Sequence, residues 1–221
     1  MPATAKIDLT KEHREEYVAP REPKIVNTRP AHYLALAGRG APADEEFQKA
    51  IGALYSVAFT VKMAKKFAGI DYKVCHLEAL WWSSHPGGFL EQPTDSWNWK
   101  LLIRVPDFVT KEDVKRAVEA LKKRGREGPL ERVRIETLRE GQCVQALHVG
   151  PYDRGRKTIE QMMECAHERG LAWHGRHHEI YLSDPRRVPP KRLRTLLRHP
   201  VRKSNTARGL EKRSTAAKRR V

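Results

Sequence analysis

The chain carries one arrangement of segments twice. A duplicated unit restricts the fold more than any other feature here, because whatever closes one half must also close the other. In the first half, Lys24-Ile25-Val26-Asn27 reads as a short extended run. Tyr33-Leu34-Ala35-Leu36-Ala37 reads as a second, ending at Gly38-Arg39-Gly40. A helix starts near Asp44, with Phe47, Ile51, Leu54, Ala58 and Val61 spaced along one face. Then come Glu78-Ala79-Leu80-Trp81-Trp82, a loop with Pro86-Gly87-Gly88, and an apolar run over residues 99–106. The second half repeats the order. Val133 to Leu138 alternates, Glu140-Gly141 turns, and Val144 to Val149 runs to Gly150-Pro151. A helix presents Ile159, Met163 and Ala166, and extended runs follow at residues 177–182 and 193–200. The closing segments align as residues 102–106 on 196–200. A linking helix over residues 111–123, with Val114, Ala117, Val118 and Leu121 inward, joins the halves. The pattern predicts an α+β fold: two tandem pseudo-symmetric units in an antiparallel sheet, helices on one side, the other side free to face a ligand.

Composition narrows the class. At 221 residues and 39% hydrophobic the chain can bury a core. No window approaches 18 apolar residues, which excludes a transmembrane helix. Residues 1–10 lack an apolar stretch of signal-peptide length, and Cys75, Cys143 and Cys165 form no CxxC pair. Both features predict a cytoplasmic protein with reduced thiols. Residues 202–221 hold eight Lys/Arg against Glu211 alone, so this predicted disordered tail supplies +7 of the formal +16. It would serve solubility or make weak nucleic-acid contacts through phosphate neutralisation. The predicted division is an N-terminal extension (1–20), one domain (21–201) and the tail.

Alternation points to a pocket. In an extended run, Glu179, Tyr181 and Ser183 share one face, while His178, Ile180 and Leu182 share the other. Placing Ile180 and Leu182 under the helix sends Glu179 and Tyr181 to the open side. Superposing Leu80-Trp81-Trp82-Ser83 on Ile180-Tyr181-Leu182-Ser183 adds Ala79 and Trp81 there and turns Trp82 toward the helices. A lone buried carboxylate is costly, and its pKa rises unless a cation or donor compensates. Rings around a carboxylate suit a planar aromatic or cationic small molecule, held by stacking and cation–π attraction. Trp81, Trp82 and Trp99 fit a core equally well, and Tyr55 and Tyr152 either line a rim or only pack. His174, His177 and His178 have no metal-ligand spacing, since adjacent strand residues face opposite ways, so no metal is expected. Ser183-Asp184-Pro185 reads as a turn.

Several runs together resemble the GyrI-like small-molecule-binding domains. They are residues 77–82 (Leu77-Glu78-Ala79-Leu80-Trp81-Trp82), Gly150-Pro151-Tyr152-Asp153, the stretch from His178-Glu179 to Asp184-Pro185, Leu197-Arg198-His199-Pro200-Val201, the Leu54-Tyr55-Ser56 stretch and Gly38-Arg39-Gly40. The resemblance spans about residues 20–201. It implies two strand-helix-strand-strand units forming a curved sheet, helices on its convex side, with a central ligand channel read by a glutamate. About 20 residues before the domain are too few for a DNA-binding helix-turn-helix unit. The double tryptophan resembles the freestanding subfamily that hydrolyses the cyclopropane of DNA-alkylating natural products of the yatakemycin and CC-1065 kind. That likeness makes Glu179 the acid/base residue and Tyr55, Trp81 and Tyr152 cage residues, with Trp82, Trp99 and Tyr181 as further candidates. No cofactor is implied. The alternative is a protein that binds and sequesters drugs without altering them.

Overall fold

The computed structural model describes residues 6–18, 20–84 and 91–204. The loop motif Pro86-Gly87-Gly88 and all but the first three residues of the predicted basic tail lie outside the described residues. Nine strands form one antiparallel sheet: β1 (Lys24–Asn27), β2 (Ala31–Arg39), β3 (Leu77–Trp82), β4 (Asn98–Val105), β5 (Arg134–Leu138), β6 (Gln142–Val149), β7 (Leu171–Trp173), β8 (His177–Tyr181) and β9 (Arg194–Lys203). Their order is β1-β6-β9-β8-β3-β4-β2-β5, with β7 also against β9. Two short helices, α1 (Leu9–Glu12) and α2 (Arg14–Tyr17), precede the sheet, and α3 (Glu45–Phe67), α4 (Lys111–Lys123) and α5 (Arg156–Glu168) are the longer ones.

The predicted duplication is present, with one feature that periodicity does not contain. The opening strand of each half pairs with the other half: β1 lies on β6, and β5 lies on β2. Each unit therefore closes the edge of its twin, so neither sheet is complete alone. The halves meet at β3 and β8, where Ala79 faces Glu179 and Glu78 faces Ile180. That register confirms the superposition of residues 79 and 179. The closing strands differ from the predicted alignment. Leu101 pairs with Ala79 while Leu197 pairs with Glu179, so 101 matches 197 and the predicted pairing is two residues out. A shift of two preserves the face of every side chain, so it leaves the hydrophobic pattern intact.

α3 lies over β2 and β4, α5 over β6 and β1, and α4 beside α3. The α3 layer packs Phe47, Leu54, Val57, Ala58 and Val61 on Leu34, Leu36, Trp99 and Leu101. α4 follows a Thr110–Asp113 capping box, and Asp113 also holds Lys65 of α3 at 2.8 Å. On α5 the buried face is Ile159, Met162, Cys165 and Ala166, whereas Met163, expected on that face, is exposed and its neighbour Met162 takes the place. Trp99 is fully buried, and its ring lies where a Cβ on Gly38 would come within 2.3 Å.

The predicted faces are reversed. Ala79, Trp81 and Trp99 join the α3 core, so Glu179, directly across from Ala79, is on the helix-bearing face. Ile180 and Leu196 lie on the opposite face under Tyr17, and Leu182 packs with them. Trp82 is also on that face, beneath the Arg176 guanidinium at 3.6 Å. The expectation assumed one apolar face and one open face; here both faces are covered, the second by the N-terminal segment.

That segment is anchored by buried charge. Tyr17 donates to Glu78 at 3.0 Å, Arg104 donates to Glu16 at 2.8 Å, and Arg198 donates to the Glu16 carbonyl. His178 sits between Glu78 (2.9 Å) and Glu140 (3.0 Å), and Arg198 also meets Glu140 at 3.3 Å. Three carboxylates thus face two guanidiniums and one imidazole. Burial alone would lower the His178 pKa, but Glu140 and Glu78 raise it to about 9. Burial would raise Glu140, but His178 and Arg198 hold it down at about 2.

Two predictions follow from this packing. The stability that His178 contributes is complete below its ordinary 6.5 and is lost as pH rises toward 9. The urea midpoint should fall across that interval, and Glu140→Gln should lessen the fall while costing about 3 kcal/mol at pH 6. Gly38→Ala should cost about 1–3 kcal/mol in the same measurement, because the added methyl collides with the Trp99 ring.

Candidate functional site

The central β3–β8 pair lies between the parts of the sheet that α3 and α5 cover, and the partly exposed Glu179, Tyr181 and Tyr55 with the exposed Tyr152 mark a candidate cleft there. α3 reaches over β3 through Phe47, which packs on Trp81, and Glu179, across from Ala79, lies beside the pseudo-two-fold axis. Alternation aims Trp81, His177, Glu179 and Tyr181 into the cleft from adjacent strands. α3 contributes Tyr55, and the turn preceding α5 contributes Tyr152.

Each Glu179 oxygen has its own neighbour. Tyr181 donates to Oε2 at 2.8 Å, and His177 Nε2 lies 3.6 Å from Oε1. The Trp81 indole N–H donates to the Tyr181 hydroxyl at 3.3 Å. Burial would push the Glu179 pKa up; the His177 ring, then Tyr181 and Trp81, outweigh it and hold the carboxyl below its ordinary value. The compensating donors that a lone carboxylate lacks are therefore present. Tyr181 shifts the other way, raised by burial and by the Glu179 charge, so it stays a neutral donor. The Glu179 side chain keeps 20% of its exposure, enough to be reached from the cleft.

The rings form a graded wall. Trp81 is buried, stacked on Phe47 at 5.4 Å and edge-on to Trp97 at 5.6 Å. Tyr152 meets Tyr181 edge-on at 5.6 Å and is 43% exposed, which places it at the rim. Tyr55 is half-buried and stacks on the exposed Phe59 at 6.1 Å. Of the expected site residues, Glu179, Trp81, Tyr152 and Tyr181 come together, and Tyr55 stands on the α3 wall. Trp82 faces the opposite side of the sheet, and Trp99 is core packing edge-on to Phe47 at 5.1 Å. Sequence reasoning missed His177, Trp97 and Phe59. Alternation puts His177 in phase with Glu179, two residues apart on one strand. Ser183 accepts from the Arg194 N–H at 3.1 Å, and the Asp184 carbonyl accepts from the Arg187 and Val188 N–H groups, so the predicted turn is present and runs from Asp184 to Val188. Among the described residues no group of His, Cys, Asp and Glu could hold a metal ion, and no helix is long and apolar enough to cross a membrane.

The profile of the GyrI-like small molecule binding domain matches residues 21–202. Solved structures with the same architecture include an uncharacterized conserved protein from Listeria innocua, 37% identical with a TM-score of 0.84. It covers 89% of this chain and 100% of its own. Two structures of hydrolases from the same organism are each 36% identical, with TM-scores of 0.80 and 0.82. They cover 89% and 90% of this chain and 100% of their own. No curated protein matches the chain.

The donor geometry sets an expectation of its own. Tyr181→Phe removes one hydrogen bond from a partly buried carboxylate while keeping the ring. The Glu179 carboxyl should then titrate at higher pH than in the unaltered protein, by about one pH unit, as read by carbon-detected NMR.

Proposed function

The chain belongs to the GyrI-like small-molecule-binding domain family, and from that premise we propose that it hydrolyses the cyclopropane of flat, DNA-alkylating natural products or related xenobiotics, thereby protecting the cell. The observation that carries this reading is a partly buried carboxylate, hydrogen-bonded by Tyr181 and set among rings at the centre of the sheet, in a chain over a third identical to proteins described as hydrolases.

The substrate class has a strained ring conjugated to a carbonyl. Trp81, Tyr181, Tyr152 and Tyr55 would hold the planar body by stacking, which fixes the strained carbon relative to water and supplies proximity. Glu179 has two conceivable roles, a base toward water or a protonated donor toward the developing oxyanion. Its lowered pKa favours the base. Water attacks the outer ring carbon, a C–O bond forms, and the ring C–C bond breaks. The electron pair moves into the conjugated carbonyl, whose oxygen takes a proton from solvent, while Glu179 accepts the proton lost by water and then releases it to solvent. The net change is the addition of one water. The carboxylate is a weak base for this task, so the reading assigns much of the acceleration to ring strain and positioning.

The test incubates purified protein with a cyclopropane-bearing alkylator and follows mass. A gain of one water, with turnover lowered about 10²–10⁴-fold in Glu179→Gln and binding retained, is the expected result. Binding without any mass gain assigns the protein to sequestration. Near-normal turnover in Glu179→Gln removes that residue from the mechanism.

A further inference from the structure

Glu179 has a neighbour that no expectation assigned. We propose that His177 is a positioning residue for Glu179, its buried ring set with Nε2 3.6 Å from Oε1 so that it orients the carboxylate beneath the rings; this rests on the reading of Glu179 given above.

Geometry supports it in three independent ways. His177 and Glu179 are two apart on β8, so they project from one face, and the His177 side chain is fully buried with Nε2 3.6 Å from Oε1. Tyr181 holds the other oxygen, so the two neighbours together restrain the carboxylate on both sides. The duplication supplies the second argument. The register that matches 79 with 179 matches 77 with 177, and the first half has Leu77 and Ala79 there. Imidazole and carboxylate thus occur together in one half and are absent together from the other. A histidine required only to fill space would not need to accompany the acid. The third argument is enclosure. Trp81 lies directly across the ladder from His177 and both are buried, so the imidazole is shielded from solvent while Glu179 keeps part of its exposure.

Other titratable groups do not supply the same support. His199 on β9 is 6.0 Å from the His177 ring, ring centre to ring centre, and stacks on Trp173 at 3.9 Å. Burial, with His177 and His174 nearby, pushes His199 down to about 3, so it is neutral through the physiological range. Tyr181 and Tyr152 are phenols held protonated, first by burial and then by the Glu179 charge. Asp184, beyond the end of β8, is held ionised by Arg186 and adds only negative charge near the cleft. His178, next in sequence, points to the opposite face and is occupied by Glu78 and Glu140.

The experiment compares the full chain with His177→Phe, His177→Gln and Glu179→Gln, the last assigning the Glu179 carboxyl signal by its disappearance. The carboxyl is titrated by carbon-detected NMR, and the acid limb of ring opening is measured on the same proteins. In His177→Phe both midpoints should move up by about one pH unit or more. In His177→Gln, which keeps a polar donor in place of the ring, they should lie between. Turnover well above the midpoint should change less than turnover at pH 5. Midpoints unchanged in both folded variants overturn the proposal. Should His177→Phe not fold, His177→Gln decides alone, and a midpoint equal to that of the unaltered chain overturns it. The NMR titration requires no turnover, so it separates the two readings. Retained turnover in Glu179→Gln with a shifted carboxyl midpoint defeats the hydrolytic reading only. Lost turnover in Glu179→Gln with an unshifted midpoint defeats the role of His177 only.

Discussion

The antiparallel contact of β3 with β8 is the constraint on which the remainder of this protein rests. It joins the duplicated halves into one sheet, and its register sets residue 79 opposite residue 179. A slip of one position would turn Glu179 into the second layer and bring His178 into the cleft. The exchange of opening strands makes such a slip costly. Because β1 is fastened to β6 and β5 to β2, moving one half relative to the other disturbs ladders at both ends of the sheet. The cleft between α3 and α5 follows from the same symmetry. Each long helix covers its own unit, and Glu179 lies at the seam between them.

The reverse face shows what holding that seam demands. Glu78 and His178, at matching positions of the two halves, meet across it at 2.9 Å. Removing such charges from water costs several kcal/mol each, which only near-complete pairing offsets. Pairing is completed from outside the repeat. Glu16 takes Arg104, its carbonyl takes Arg198, and Tyr17 takes Glu78. The segment before β1 is accordingly part of the folded body rather than an appendage. The charge count also accounts for the raised pKa of His178, since its proton balances the third carboxylate.

The site departs from symmetry at a few side chains. Leu77 and Ala79 in one half answer to His177 and Glu179 in the other, and Trp81 answers to Tyr181. One half thus contributes bulk and the other contributes charge, giving a cleft with a single anionic point among rings. A flat guest can lie across such a floor with one polar end near Glu179. The same arrangement serves binding and bond cleavage. The proposed hydrolysis draws on Glu179, which accepts from Tyr181 at one oxygen and has the His177 ring 3.6 Å from the other.

The sequence by itself determined the elements and the duplication. The spacing over 47–61 and over 114–121 marks helix faces because apolar side chains must lie along one side of a 3.6-residue period. Alternation around Glu179 and Trp81 put them in phase, as the structure confirms. Phase, however, is relative: a period of two says which residues share a face, never which face receives the helices. Only the tertiary structure decided that, because both faces of this sheet are covered and each therefore looks apolar in sequence. It also separated Trp82 and Trp99 from Trp81, since a tryptophan under a guanidinium, one against a glycine and one over a cleft share the same letter. The strand exchange and the clamp from Glu16 and Tyr17 were likewise illegible. Both depend on contacts between residues more than 60 positions apart, and no local pattern records those.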